Sequence, residues 1–247
     1  MARPARTVWR LIDSGIIPPE ASAATDEAIL NARIRGDVPD TVHFYIRDRP
    51  SVSIGYNKSV ADSINVDEAE KRGVAIVRRL SGGSAVYTDS GQLIFSLILS
   101  GSALPSDISE SYGVVCSAVV EGLSALGVMA EHKPINDILV GGSKISGSAQ
   151  LRRGGAILHH GTLMVDTDID AIAAVIRSPG PAKRLACLRE LLGVAPDMQI
   201  VKRSIAKGIE DSFNVALEPA ALTQSETAEI EKLVREKYAS REWNCRL

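Results

Sequence analysis

Residues 137–165 decide the fold, and they read DILVGGSKISGSAQLRRGGAILHHGTLMV. The stretch predicts three consecutive strands, Asp137–Gly142, Ser143–Arg152 and Ala156–Val165, because apolar runs are separated by paired glycines that suit turns. No helical pattern lies between these strands. Strands that occur in runs favour an α+β fold over a doubly wound α/β fold.

Further helices and strands are predicted on both sides of this stretch. The predicted helices are Ser22–Arg35, Ser106–Leu126, Asp168–Ile176 and a last one that begins at the capping box of Thr223 and Glu226. The other predicted strands are Thr41–Arg47, Ser51–Gly55, Val74–Arg79 and Leu93–Leu99. Together they predict a mixed, largely antiparallel sheet flanked by helices, in one domain that spans residues 1–247.

The composition is that of an ordinary soluble globular protein, with 45% hydrophobic and 23% charged residues. A net charge of −2 provides no global basic field that would recruit nucleic acid. No run approaches the roughly 18 apolar residues that a membrane span needs. The cysteines Cys116, Cys187 and Cys245 are widely spaced, which argues against a zinc site or a disulfide framework. We therefore expect a cytoplasmic protein without nucleic-acid or membrane partners.

The segment RRLSGGSAVY, residues 78–87, predicts a loop that binds an anion. Gly82 and Gly83 permit positive φ and close approach of a ligand to the backbone, and successive loop amides can form an anion-binding nest. An adjacent arginine supplies bidentate, permanently charged donors to a phosphate. A tight hairpin with a solvated arginine pair is the alternative interpretation, because short glycine motifs also match by chance.

A second candidate segment combines Asn136 and Asp137 with Lys144, which lies among small residues. A lysine in such surroundings can reach a bound ligand and stabilise charge that develops on it. Asp137 offers the hard oxygen that Mg²⁺ prefers. The alternative is a β-turn with an exposed lysine.

The third candidate segment is the histidine pair His159 and His160. Adjacent strand residues face opposite sides of a sheet, so only one of the two imidazoles can face a given site. This alternation argues against a metal site that uses both.

Taken together, the three segments resemble the lipoate–protein ligase A family. The family patterns R-R-x-S-G-G-G-A-V-Y-H-D, N-D, G-x-K-I-x-G-x-A-Q and H-H-G-T-L match residues 78–89, 136–137, 142–150 and 159–163. Asp26-Glu27-Ala28 and Glu242-Trp243-Asn244 are also similar, so the matches run in order through most of the chain. The resemblance implies a fold like the catalytic domain of biotin ligases and class II tRNA synthetases.

The resemblance also implies an ATP-dependent lipoate–protein ligase. In that reaction ATP, with Mg²⁺, activates lipoate or octanoate to an acyl-adenylate, which a lysine of a lipoyl-domain acceptor protein then attacks. Lys144 would be the catalytic residue and Asp137 would help to hold Mg²⁺. The residues implied to bind the adenylate are Arg78, Arg79, Ser81, Gly82, Gly83, Ser84, Ala85, Val86, Tyr87, Asn136, Asp137, Gly147, Ala149, His160 and Gly161. Core-facing residues of the strands between Val42 and Ile54 would supply an apolar slot for the lipoyl tail.

The chain departs from the family pattern at three points. Ser84 replaces a third glycine and Thr88 replaces a histidine, which affects the shape of the loop and the donors near the nucleotide. The chain ends at Leu247, without the accessory domain that many members carry. We therefore expect a separate small accessory subunit to complete the transfer step, with residues 178–184 as the alternative cover.

Three other functions on the same fold are alternatives. A cysteine-dependent octanoyl or lipoyl transferase needs a thiolate, but residues 129–135 contain no cysteine and Ser178-Pro179-Gly180 stands where one such family has P-C-G. A biotin ligase would have arginines after Gly82, and this loop has none. A non-catalytic lipoyl-binding protein would fit the changes at Ser84 and Thr88 but leaves Lys144 unexplained.

Overall fold

The computed structural model describes residues 6–177 and 184–247. The strands are β1 Thr7–Ile17, β2 Thr41–Arg47, β3 Ser51–Ile54, β4 Ala75–Arg78, β5 Val86–Thr88, β6 Gln92–Ser100, β7 Glu131–Lys133, β8 Asp137–Val140, β9 Ser143–Arg153, β10 Ala156–Met164 and β11 Val215–Pro219. The α-helices are α1 Pro19–Arg35, α2 Val60–Ser63, α3 Val66–Lys71, α4 Ile108–Ser124, α5 Ile169–Val175, α6 Leu188–Leu192, α7 Met198–Phe213, α8 Gln224–Leu233 and α9 Arg241–Asn244. A π-helical turn, Val234–Tyr238, extends α8.

The larger sheet has eight strands in the order β11-β1-β2-β6-β10-β9-β8-β7. Only the pairs of β1 with β11 and with β2 are parallel, and the five other pairs are antiparallel. A smaller sheet, in the order β4-β3-β5, lies in the segment between β2 and β6. The prediction of a mixed, largely antiparallel sheet flanked by helices is confirmed.

Helices cover both faces of the larger sheet. The largest apolar cluster joins one sheet face to α4 and α7, with Phe44, Phe95, Val119 and Ile205 among its fully or almost fully buried members. Helix α1 covers part of the opposite face. Strand β2 was predicted to be half-buried, but it is buried along its whole length. Its polar side chains lie beneath α1 and beside a cavity instead of facing water.

Helices α4 and α7 approach each other closely at two glycines. A Cβ atom on Gly122 would lie 2.6 Å from the carbonyl oxygen of Ser204, and one on Gly208 would overlap the carbonyl of Ala118. Backbone-to-backbone contact of this kind leaves no room for a methyl group. These glycines therefore set the depth at which the two helices pack over the sheet.

His159 lies on the same face of the sheet, against α4. Its ring is fully buried, and its centroid is 5.1 Å from that of Tyr112. Burial, together with the neighbouring His160, lowers the pKa of His159 to about 3. The prediction that only one of the two histidines faces the site is confirmed, since His160 lines the cavity on the other face.

Most predicted elements exist with ends shifted by one to three residues. The described elements that were not predicted are β1, β5, β7, β11, α2, α3, α6, α7 and α9. Apolar and polar residues alternate poorly along β1, because the strand bulges between Asp13 and Ile16, where its pairing with β2 changes register. None of the described helices combines the length and the apolarity that crossing a membrane requires.

Replacing Gly122 by alanine should lower the free energy of unfolding by about 1–3 kcal/mol, because the added methyl group forces α4 and α7 apart. The matched control is Gly113→Ala on the same helix, where the nearest atom to an added Cβ is 3.9 Å away. That control should be neutral or gain about 0.5–1 kcal/mol, since alanine favours helix over glycine. Urea unfolding of both variants measures the difference, and equal stabilities would contradict this account of the packing.

Stability should depend on pH through His159. Unfolding lets this ring regain a pKa near 6.5, so between about pH 6.5 and 3 the unfolded chain binds a proton that the folded chain does not, and stability falls as pH falls. Between pH 7 and pH 5, the free energy of unfolding of the His159→Gln variant should fall by about 2 kcal/mol less than that of the wild type. Denaturant unfolding at both pH values tests this, with His132→Gln on edge strand β7 as the control. An unchanged pH dependence in His159→Gln would show that the ring is not held neutral.

Candidate active site

A cavity of about 390 Å³ lies between the larger sheet and the segments above it. Its floor is formed by side chains of β2, β6, β10 and β9, and its cover by the loop before β5, by β5 and by α5. The predicted site residues that line it are Arg79, Gly83, Ser84, Ala85, Val86, Tyr87, Asn136, Lys144, Gly147, Ala149, His160 and Gly161. A concave cavity of this size, lined by apolar side chains together with convergent polar and charged ones, is typical of a small-molecule site.

Lys144 and Asp137 form an ion pair at the β9 side of the cavity. The Nζ of Lys144 lies 2.6 Å from Oδ1 of Asp137, and the lysine side chain is 24% exposed. Gly147 makes this possible, because a Cβ there would come within 2.6 Å of Nζ. The carboxylate thus directs the ammonium group, while the glycine leaves space for it.

Arg79 shapes the glycine loop from inside the cavity. Its guanidinium donates to the carbonyl oxygens of Ser53, Gly82 and Ser84 and to Oγ of Ser81. Burial lowers the pKa of Arg79 to about 10, and the nearby Arg47 adds to this effect. Gly83 adopts a φ of +90°, as the predicted loop requires.

Arg78 does not line the cavity, although the sequence pattern grouped it with Arg79. Its guanidinium is fully buried on the other side of β4, where it donates to the carbonyl oxygens of Gly55, Tyr56, Lys58, Trp243 and Asn244. Alternation along the strand sends the two arginines in opposite directions. Ser81, Gly82 and Asp137 are also absent from the described lining.

Asp26 of α1 is the centre of a buried network at the base of the cavity. It accepts hydrogen bonds from Tyr45 and Ser96 and lies 3.0 Å from Nδ1 of His43 and 3.4 Å from Nδ1 of His160. Burial alone would raise the pKa of Asp26, but the hydrogen bonds of His160 and His43 hold it well below its usual range. A carboxylate can only accept, so it fixes the proton of both rings on Nδ1.

His160 connects this network to the loop. With its proton on Nδ1, a neutral ring accepts at Nε2 from the hydroxyl of Ser81, 2.6 Å away. Ser81, His160 and Asp26 therefore have the connectivity of a Ser-His-Asp triad. Ser81 is completely buried and outside the lining, so its hydroxyl has no access to an acyl group. The arrangement fixes the loop.

Arg47 and Gln92 are two of the polar lining residues that were not predicted. Arg47 is almost fully buried and donates to the hydroxyls of Ser22, Ser51 and Thr88. Its burial lowers its pKa. The expected apolar slot along the Val42 to Ile54 strands is wrong for β2, because the apolar residues of that strand face the core and the polar ones face the cavity.

None of the three cysteines lines the cavity as described. Cys116 lies in the core of α4, where burial raises the pKa of its thiol to about 11. Cys187 is buried before α6, and Cys245 is exposed near the end of the chain. The segment Ser178-Pro179-Gly180, which matches P-C-G in one acyltransferase family, lies outside the described residues, as does the rest of 178–183. Within the described ranges no group of three or more His, Cys, Asp or Glu side chains is arranged to hold a metal ion, and magnesium at Asp137 stays a prediction.

Comparison with curated proteins identifies relatives over almost the full chain. The octanoyltransferase LipM of Geobacillus kaustophilus is 34% identical, with 97% of this chain and 99% of the relative covered. That of Bacillus subtilis is 29% identical with similar coverage. Because these relatives are octanoyltransferases, the prediction of an ATP-dependent lipoate–protein ligase is wrong. They favour the alternative prediction of an octanoyl or lipoyl transferase.

Solved structures agree on the fold. A bi-partite lipoate protein ligase of Thermoplasma acidophilum superposes with a TM-score of 0.87 at 29% identity, over 97% of this chain and 96% of that one. A biotin protein ligase of Aquifex aeolicus has a TM-score of 0.54 at 15% identity over 83% of this chain and 70% of that one, which shows a shared fold alone. The family model for the lipoyl protein ligase A/B catalytic domain matches residues 18–210. The chain therefore belongs to the lipoyl protein ligase A/B catalytic domain family.

Proposed function

We propose that this protein transfers an octanoyl or lipoyl group from an acyl thioester to the ε-amine of a lysine on a lipoyl domain. The observation that carries the proposal is the cavity that gathers Lys144, Arg79 and His160, from three separate segments of the chain, around one space of small-molecule size. The names of the full-length relatives support octanoyl transfer. A lipoyl domain accompanies the related Thermoplasma acidophilum enzyme.

The reaction that we propose is direct attack of the lysine amine on the thioester carbonyl. The nitrogen forms an amide bond, the carbon–sulfur bond breaks, and the amine proton leaves with the thiol. Lys144, held by Asp137, places a positive charge where the carbonyl oxygen becomes negative. Positioning supplies the remaining acceleration, because both reactants are held in one cavity.

Direct transfer is favoured over a cysteine intermediate by the position of the thiols. A nucleophilic cysteine needs a lowered pKa and access to the substrate, whereas burial raises the pKa of Cys116 and keeps it out of the lining. A separate small accessory subunit and a cytoplasmic location stay predictions.

Lys144→Met should reduce the transfer rate at least about 100-fold, because it removes the charge that stabilises the oxyanion but keeps the length of the side chain. The assay supplies an octanoyl thioester and a lipoyl domain and follows the domain by intact mass. Lys71→Met is the control, since that side chain is 70% exposed on α3. Thermal unfolding confirms that both variants are folded. A folded Lys144→Met variant with near-normal transfer would refute the assignment.

Alanine at Cys116, Cys187 and Cys245, singly and together, should leave the transfer rate within a few-fold of the wild type. The physical reason is that none of these thiols reaches the described cavity. The same intact-mass assay also searches the enzyme for a covalent octanoyl adduct, which we expect to be absent. Loss of transfer in a stable Cys187→Ala variant would establish a cysteine intermediate instead.

A further inference from the structure

Two pairs of adjacent residues beside the site share one arrangement: Asp26-Glu27 of α1 and Arg78-Arg79 of β4. Asp26 and Arg79 face the site, where the first binds His160 and the second holds the glycine loop. Their neighbours Glu27 and Arg78 are also buried, but neither belongs to the described cavity lining. Both bind instead to one segment that the proposed reaction does not use, the end of the π-helical turn and α9.

The π-helical turn holds Glu27 through two consecutive residues. The Nζ of Lys237 lies 2.7 Å from Oε2 of Glu27, and the hydroxyl of Tyr238 donates to the same oxygen over 2.7 Å. Tyr238 is 1% exposed and lines a cavity of about 10 Å³ together with Asp26 and Arg79. Turns of π-helix are rare and are frequently found at functional sites. This turn thus lies beside both residues that face the site.

Trp243 and Asn244 of α9 bind the backbone of Arg78 as a neighbouring strand would. The N–H of Arg78 donates to Oδ1 of Asn244 over 2.9 Å, and the indole Nε1 of Trp243 donates to the Arg78 carbonyl over 3.0 Å. Strand β4 is at the edge of the smaller sheet, where outward N–H and C=O groups are open to another partner. The Arg78 guanidinium also donates to the carbonyl oxygens of Trp243 and Asn244. These hydrogen bonds fix Arg78 to α9 from its backbone and from its side chain.

We propose that Trp243 and Asn244 are positioning residues for acyl transfer, because they fix Arg78 and thereby the glycine loop that Arg79 holds. The two arginines are consecutive residues of one backbone, so a displacement at Arg78 also displaces Arg79. Arg79 donates to two carbonyl oxygens of the loop, so the loop follows it. The inference rests on the proposed function, since the loop covers the cavity in which transfer is proposed.

This position affects binding of the acyl donor rather than the chemical step. The loop contributes Gly83, Ser84 and Ala85 to the cavity lining, so a displaced loop contacts the acyl donor less well. Lys144, which stabilises the oxyanion in the proposed reaction, is on β9 of the larger sheet and is held by Asp137. Loss of an interaction that binds the ground state and the transition state equally raises KM and leaves kcat unchanged.

Two substitutions test this role in the intact-mass transfer assay. Asn244→Ala removes the acceptor for the Arg78 N–H. Trp243→Phe removes the indole donor but keeps an aromatic ring beside Tyr56 and Tyr238. Each variant should raise the KM for the octanoyl thioester about tenfold, while kcat stays within about threefold of the wild type.

Asn31→Ala is the matched control. The side chain of Asn31, on α1, bonds to Glu229 and to Arg153, so this variant also loses side-chain hydrogen bonds, but neither of them involves Arg78. A general loss of stability would therefore appear in the control as well. The KM of the control should equal that of the wild type.

Hydrogen exchange supplies a second readout that needs no turnover. The amide of Tyr56 donates to the carbonyl oxygen of Ser81 in the loop over 2.9 Å, so its protection reports whether the loop stays in place. Without substrate, exchange at this amide should be about tenfold faster in Asn244→Ala and Trp243→Phe than in the wild type. The Asn31→Ala control should exchange at the wild-type rate.

Three outcomes in folded variants would overturn the inference: a KM equal to that of the control, a kcat that falls while KM does not, or exchange at Tyr56 as slow as in the control. Thermal unfolding establishes which variants are folded, and the conservative Trp243→Phe keeps the test available if Asn244→Ala does not fold. Exchange is measured without substrate, so it tests the positioning even if the wild type transfers no acyl group. Failure of the proposed transfer is read separately, by intact mass.

Discussion

The buried carboxylate of Asp26 is the constraint on which the site depends. One side chain of α1 takes hydrogen bonds from β2, β6 and β10, three neighbouring strands of the larger sheet. A buried carboxylate without such donors would cost several kcal/mol. The strands must therefore stay in register beneath α1, and this register places His160 under the glycine loop, where it holds Ser81.

Two adjacent arginines hold neighbouring segments in place on opposite sides of β4. Arg79 points into the cavity and holds the loop by its carbonyl oxygens, whereas Arg78 points away and ties β4 to residues 55–58 and to the last helix, α9. Both guanidiniums are buried and bonded mainly to neutral carbonyl oxygens. Their desolvation is compensated by several hydrogen bonds each. The loop is thus braced from both faces of β4.

The sequence predicted the fold class, helices α1, α4, α5 and α8 and twelve of the lining residues, because those depend on local periodicity and on ordered motifs. Arg78 and Arg79 were grouped because both fit the same family pattern, although alternation along the strand places them on opposite sides, as it does His159 and His160. Arg47 and Gln92 carry no motif, and their positions depend on residues 40 or more positions away: Arg47 donates to Thr88, and Gln92 pairs with Met164 across β6 and β10. The ligase activity was predicted wrongly: the relatives named above are octanoyltransferases, whereas a structure with nearly the same fold is a lipoate protein ligase, so this fold does not separate the two activities.

The charges in and beside the cavity suit an acyl transfer that passes through an anionic tetrahedral intermediate. Arg47, Arg79 and Lys144 contribute three positive charges, and Asp26 and Asp137 contribute two negative ones. One cationic charge is therefore left over in a largely desolvated space. A resting neutral thioester does not use it, whereas the tetrahedral oxyanion formed when an amine attacks does. Charge that is complementary to the transition state, rather than to the substrate, is what lowers the barrier.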